Sequence, residues 1–201
     1  MENCTPATFP MPKGLKLSKY DGELIPDPEV YRRLVGKLLY LNLSRPDISY
    51  SVQQLSQFLS EPTAPHLSTV VHILRYLKGS INMDLFYPAN SDMNLIAYSD
   101  ADWGTCTDTA RSLTGYCIFL GNSLIFWKTK KQKVVAKSST EAEYRSMSHT
   151  GDEVVWKIAK LSGLAWHTSF VLGLLVREFA LTSVKSSTLQ FKKTGGLYLI
   201  L

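Results

Sequence analysis

The sequence predicts an α+β protein in which a helical N-terminal part is followed by a sheet with one long helix. Two observations carry this expectation. Up to about residue 78 the apolar residues recur at spacings of three and four, and after residue 80 they gather into short runs bounded by turn residues. Two of those runs are separated only by Gly121-Asn122, which is a hairpin signal.

Residues 1–27 carry Pro6, Pro10, Pro12 and Pro26 and read as an extended lead-in. A helix begins near Pro28, with Val30, Tyr31, Leu34, Val35, Leu38 and Leu39 on one face. In Leu43-Ser44-Arg45-Pro46-Asp47, Ser44 or Arg45 ends that turn. Pro46 suits the first position of a second helix, because the N–H it lacks has no intrahelical partner there. Ile48, Val52, Leu55, Phe58 and Leu59 give this helix its apolar stripe, and Glu61 to Pro65 breaks it. A third helix spans about Pro65 to Lys78, with Val70, Val71, Leu74 and Leu77 inward and Gly79 as its cap. Strands follow at Leu95–Asp100, Thr114–Leu120 and Ser123–Lys128. A long helix then starts at Ser138-Ser139-Thr140-Glu141, where Ser139 or Thr140 caps it, and stops at Ser162-Gly163.

Composition bounds the function. The chain has 201 residues, of which 45% are hydrophobic and 19% charged, as in a folded protein and unlike a disordered or fibrous one. A net charge of +5 fits a nucleic-acid partner, although many proteins that bind none carry as much. Cys4, Cys106 and Cys117 form no CxxC pair, so neither a disulfide framework nor a zinc site is expected. A reducing compartment, cytoplasmic or nuclear, follows as the simpler reading. Met1 to Leu15 has no apolar signal region. The longest apolar run, Phe170 to Val176, is too short to span a bilayer, so no secretion or membrane association is expected.

Two acids stand out by position. Asp100 ends an apolar strand, and Glu143 lies in the first turns of the helix after the hairpin. Carboxylates so placed can converge on a hard divalent cation, and two such cations can activate water for phosphodiester hydrolysis. By spacing alone, ordinary surface acids remain the commoner explanation. Asp102 could share the face of Asp100 if the strand continues. Lys128, Lys130, Lys131, Lys133 and Lys137 cluster beside Trp127. They are either phosphate contacts or lysines guarding a hairpin edge, and Trp127 itself is more often core than a stacking platform.

The words around these residues add a resemblance. YSDADWG (98–104), TARSLTGYCIFLG (109–121), FWKTKKQ (126–132) and SSTEAEYR (138–145) resemble successive segments of the ribonuclease H domain in copia-type retrotransposon Pol polyproteins. Upstream, YRRLVGKLLYLNLSRPDISYSVQQLSQFLSEPTAPHL and ILRYLKGS are similar to the end of the same family's reverse transcriptase. The resemblance implies a helical reverse-transcriptase remnant (thumb and connection, 1–92). An incomplete ribonuclease H-like sheet with one long helix follows (93–164), then a divergent tail (165–201). It implies Asp100 and Glu143 as metal-binding carboxylates, Mg²⁺ as the cofactor, an RNA–DNA hybrid as partner met by the lysine cluster, and no small-molecule cofactor.

The family continues with a third and a fourth acid, and residues past about 165 do not resemble that continuation. Asp152 and Glu153, if on the Glu143 helix, lie roughly 14 Å along its axis from Glu143. Glu178 follows an apolar run and is the remaining candidate for a replacement ligand. No Asp-Asp pair occurs, which removes DNA synthesis. The leading expectation is a catalytically inactive Pol fragment. A non-catalytic nucleic-acid-binding module and an active nuclease are the two alternatives.

Overall fold

The computed structural model describes residues 4–91, 94–161, 191–194 and 197–200, with side chains up to residue 158. The chain forms two compact units interleaved in sequence. One comprises Met1–Phe86, Trp103–Leu113 and Lys128–Val135, and the other Tyr87–Asp102, Thr114–Trp127 and Ala136–Leu201.

The first unit is helical. Helix α1 (Pro28–Leu41) starts as the sequence requires: the Asp27 carboxylate accepts the Glu29 N–H at 3.0 Å, and Pro28 supplies no donor. The second helical segment is broken into a 3-10 turn (Pro46–Ile48), α2 (Ser49–Leu55) and another 3-10 turn (Ser56–Phe58). Helix α3 spans Ala64–Gly79. Tyr31, Val35, Leu38, Ile48, Val52, Leu55, Val70, Ile73 and Tyr76 form the core. Helix α3 turns Val70, Leu74 and Leu77 to the core as expected, but His66, Ile73 and Tyr76 are buried with them and Val71 is 39% exposed. Gly79 is the last helical residue and Ser80 the cap. The absence of a side chain at Gly79 serves the lead-in instead, since a Cβ there would meet Pro6 Cβ at 2.9 Å.

Arg45 ties the end of this unit together. Its Nε and Nη2 donate to the two Asp47 carboxylate oxygens at 2.9 and 2.7 Å, and Nη1 donates to the Ser80 carbonyl at 3.0 Å. The Tyr76 hydroxyl donates to the same Asp47 at 2.8 Å. By sequence, Arg45 marks only a helix stop.

His66 is fully buried and stacks on Phe58, with ring centroids 3.9 Å apart. Its Nδ1 accepts the Thr63 N–H at 3.0 Å, completing a capping box. Burial pulls the imidazole pKa below its ordinary 6.5, outweighing the pull of Asp21 and Asp108 in the other direction. The fold therefore favours the neutral ring. That contribution is complete above the unfolded value and is lost as pH falls below 6.5 toward the folded value. Thermal stability of the wild type should fall between about pH 7.5 and 5.5, and His66→Gln should reduce the dependence. Equal pH dependence in both proteins would remove His66 as the cause.

The second unit joins a sheet to one helix. Strand β1 (Leu95–Asp102), β2 (Leu113–Leu120) and β3 (Ser123–Lys131) are each longer than the sequence predicts, and Leu113 and residues 128–131 at their ends count with the first unit. Helix α4 (Ser139–Leu161) packs on this sheet, with Ala97, Tyr116, Ile118 and Val154 buried together. Its cap is Ser138, whose Oγ accepts the Glu141 N–H at 3.1 Å, rather than Ser139 or Thr140. Strands β4 (Phe191–Thr194) and β5 (Leu197–Ile200) complete the order β3-β2-β1-β5-β4. β5 runs antiparallel to β1, with Ala97 opposite Ile200 and Ser99 opposite Tyr198. The sequence predicts no strand in the tail, whose four-residue segments are too short to show a period. The expected stop at Ser162-Gly163 and the candidate Glu178 lie outside the described residues.

Candidate functional site

Asp100 lies near the end of β1. Alternation along the strand buries Ala97 and Ser99 and leaves Asp100 exposed. Helix α4 crosses at this point. The Ser146 Oγ donates to the Asp100 carbonyl at 2.8 Å, and the Thr150 hydroxyl continues the seam by donating to the Ser146 carbonyl at 2.8 Å. Glu143 precedes Ser146 by three residues, so it shares that face of α4 about 5 Å along the axis. The structure thus brings the Asp100 backbone and the Glu143 turn to the same helix–strand contact. Ser146 is the residue that sequence reasoning missed here. Its signal was its spacing, one turn after Glu143.

The start of α4 is held by charge as well as by its cap. Glu141 accepts the Lys137 N–H at 2.7 Å and pairs with Arg145 Nη2 at 2.8 Å. The Arg145 hydrogen bond and then the Lys137 N–H hold the Glu141 carboxyl below its ordinary range. Glu141 is thus engaged by partners on and just before its own helix.

The resemblance implies a pair of hard cations. Such ions need several oxygen ligands each, and two-cation sites share carboxylates between them. Among the described residues no group of three or more His, Cys, Asp or Glu side chains is placed to hold a metal. Asp100 and Glu143 alone do not furnish that ligand set.

The basic cluster divides between the units. Lys137 belongs with Asp100 and Glu143, whereas Lys128, Lys130, Lys131 and Lys133 belong to the helical unit. Lys128 and Lys130, two residues apart on β3, are both exposed, and so is Lys133 in the turn beyond. Lys131 has the opposite parity and turns inward. Its Nζ donates to Gln57 Oε1 and to Cys106 Sγ, both at 2.8 Å. Period-two alternation would have separated Lys131 from Lys128 and Lys130 in the sequence. Trp127 is half-buried. Cys4, Cys106 and Cys117 are all free thiols. No helix among the described residues is long and apolar enough to cross a membrane.

Comparison with known proteins gives consistent relatives. The chain is 47% identical over 164 residues to the retrovirus-related Pol polyprotein from transposon RE1 of Arabidopsis thaliana, a match covering 82% of the chain and 11% of that protein. It is 38% identical to the corresponding polyprotein from transposon TNT 1-94 of Nicotiana tabacum, covering 83% of the chain and 13% of the relative. An uncharacterized mitochondrial protein of Arabidopsis thaliana is 43% identical over 162 residues, with 81% of the chain matching 67% of its length. The chain therefore spans about a tenth of the polyproteins it matches. No family model matches, and no solved structure matches.

Proposed function

The chain belongs to the Pol polyproteins of copia-type retrotransposons, and from that premise we propose that it is a non-cleaving fragment running from the end of a reverse transcriptase into the start of a ribonuclease H-like domain. The ordered motifs support the assignment, and the ancestral activity they imply is hydrolysis of RNA in RNA–DNA hybrids. Asp100 and Glu143 are the remaining carboxylates of that site. The observation that supports the absence of cleavage is in the sequence: residues past about 165 do not resemble the family's continuation, which carries its third and fourth acids. Incubation of the chain with a labelled hybrid and Mg²⁺ is the direct test, and cut RNA would overturn the reading.

A non-catalytic nucleic-acid-binding role is the second reading, favoured by the exposed Lys128, Lys130 and Lys133. Duplex binding should weaken steeply with salt. Replacing those three lysines together by alanine should flatten the slope of log affinity against log salt by up to about 0.9 for each phosphate left without its lysine. Lys131→Ala should change the slope less, since its ammonium is already engaged by Gln57 and Cys106. Anisotropy titrations at several salt concentrations read both effects. An unchanged slope in the triple variant identifies the cluster as a guarded strand edge.

A further inference from the structure

Neither proposed role uses Cys106. It lies in the segment between β1 and β2, in the same compact unit as Lys131 and Gln57. The segment is sharply folded: the Ala110 N–H donates to the Cys106 carbonyl at 2.7 Å, the Cys106 N–H to the Arg111 carbonyl at 3.3 Å, and Ala110 has φ of 50°. Asp108 anchors it further, accepting from Ser18 Oγ at 2.6 Å and from the Lys19 N–H at 3.2 Å. The thiol is therefore held in place. Its sulfur contacts Lys131 Nζ at 2.8 Å and Gln57 Oε1 at 3.8 Å. Burial alone pushes the thiol up, but hydrogen bonds from Lys131 and Thr109 outweigh it and leave Cys106 below its ordinary value. At Cys117 burial prevails and pushes the thiol up.

The space nearest the thiol is a cleft lined by its neighbours and not by Cys106 itself. The cleft, of about 260 Å³, is lined by Lys131, Gln57 and Thr109, three residues that touch Cys106, and by Lys19, Tyr20 and Phe58. Cys106 itself is 6% exposed, which excludes bulky reagents and favours a small oxidant.

We propose that Cys106 and Lys131 form an oxidation site, in which a peroxide oxidises the sulfur and the neighbouring amine captures it as a covalent S–N link. The thiolate attacks one peroxide oxygen and the O–O bond breaks. The departing hydroxide takes a proton from the Lys131 ammonium and leaves as water, so Cys106 is now a sulfenic acid. The Lys131 amine then attacks that sulfur and the S–O bond breaks. A second hydroxide departs with the proton shed by nitrogen, again as water. In total the thiolate, the ammonium and one peroxide give one sulfenamide and two waters, with sulfur oxidised and peroxide reduced. Sulfenic acids condense with nearby thiols or nitrogens, and this nitrogen is already in contact. The link ties the end of β3 to the segment after β1, and a thiol reductant reopens it.

The test is hydrogen peroxide treatment of the whole chain, followed by digestion and peptide mass spectrometry. In the wild type a Cys106–Lys131 linked peptide should appear, lighter than its two parts by two hydrogens, and dithiothreitol should abolish it. Lys131→Arg keeps the positive charge but cannot form this link, so its Cys106 should proceed to sulfinic acid. Circular dichroism of that variant checks that its fold is retained, and Lys131→Gln provides a second variant. The proposal is overturned if Cys106 reaches sulfinic acid equally in wild type and variants with no linked peptide. It is also overturned if Cys117 oxidises first.

Discussion

Arg45→Ala should cost about 2–4 kcal/mol of unfolding free energy, somewhat below the range for breaking a fully buried ion pair because Asp47 keeps some solvent. The Arg45 and Asp47 side chains are only 11% and 23% exposed. Truncation removes four strong hydrogen bonds at once, two to Asp47 and two to Ser80. It leaves the Asp47 carboxylate with Tyr76 as its remaining partner from α3. Burial acts to raise the Asp47 carboxyl, but the Arg45 and Tyr76 hydrogen bonds win and hold it below its ordinary 3.8. Its stabilising share is therefore present above that value and fades as pH falls through the folded value. The control is Arg145→Ala. Arg145 pairs with Glu141 one turn away at 44% and 34% side-chain exposure, where an ion pair is worth about 0–1 kcal/mol. Urea unfolding of the two variants separates the cases, and similar midpoints would refute the structural role given to Arg45.

Much of the fold was legible because local rules decided it. Pro28 and Pro46 mark helix starts through a missing donor, and Gly121-Asn122 marks the hairpin through its turn conformation, with Gly121 at φ 55°. The long α4 helix was legible at its start but not in its cap. Ser138, Ser139 and Thr140 are chemically alike, so their types do not choose the cap; in the structure it is Ser138, whose Oγ accepts the Glu141 N–H. On α3 the expected face held at Val70, Leu74 and Leu77 and failed only at Val71. Val71 is more apolar than Thr69 or His66, but the helix turns toward its neighbours the side that carries the Thr63–His66 cap and the Phe58 stack.

Long-range partners were the illegible part. Arg45 meets Ser80 across 35 residues, and Lys131 meets Gln57 across 74. No spacing rule connects such positions. The candidate site shows both kinds of information. Asp100 and Glu143 came from the words around them, whereas Ser146 is offered by its spacing after Glu143 but its bond to the Asp100 backbone is set by packing. The tail strands β4 and β5 belong with the second kind, since they are recognised by pairing, β5 with β1 and β4 with β5, rather than by their own pattern.

Cleavage of an RNA–DNA hybrid by this chain in Mg²⁺ should be undetectable. Two cations at the usual separation of about 3.5–4 Å concentrate four positive charges, which only several carboxylates hold together. The resemblance carries over two, Asp100 and Glu143, and the segment past about residue 165 does not resemble the family's continuation with its further acids. Loss of ligands acts twice. It weakens cation binding, and it removes the fixed placement that aligns water with the leaving oxygen, a placement worth up to roughly 7–11 kcal/mol of barrier in well-oriented reactions. A barrier higher by even half of that range slows turnover by roughly 400-fold to 10⁴-fold. Weak cation binding also predicts little thermal stabilisation by millimolar Mg²⁺, because a ligand stabilises a fold only as far as it occupies it. The deciding comparison sets the wild type against Asp100→Asn on one labelled hybrid, with a melting curve of each at increasing Mg²⁺. Equal absence of cutting and equal melting points place Asp100 outside any working site. If the wild type cuts and Asp100→Asn does not, the fragment is a nuclease after all, a further acid completes the set, and Glu178 is the first residue to replace.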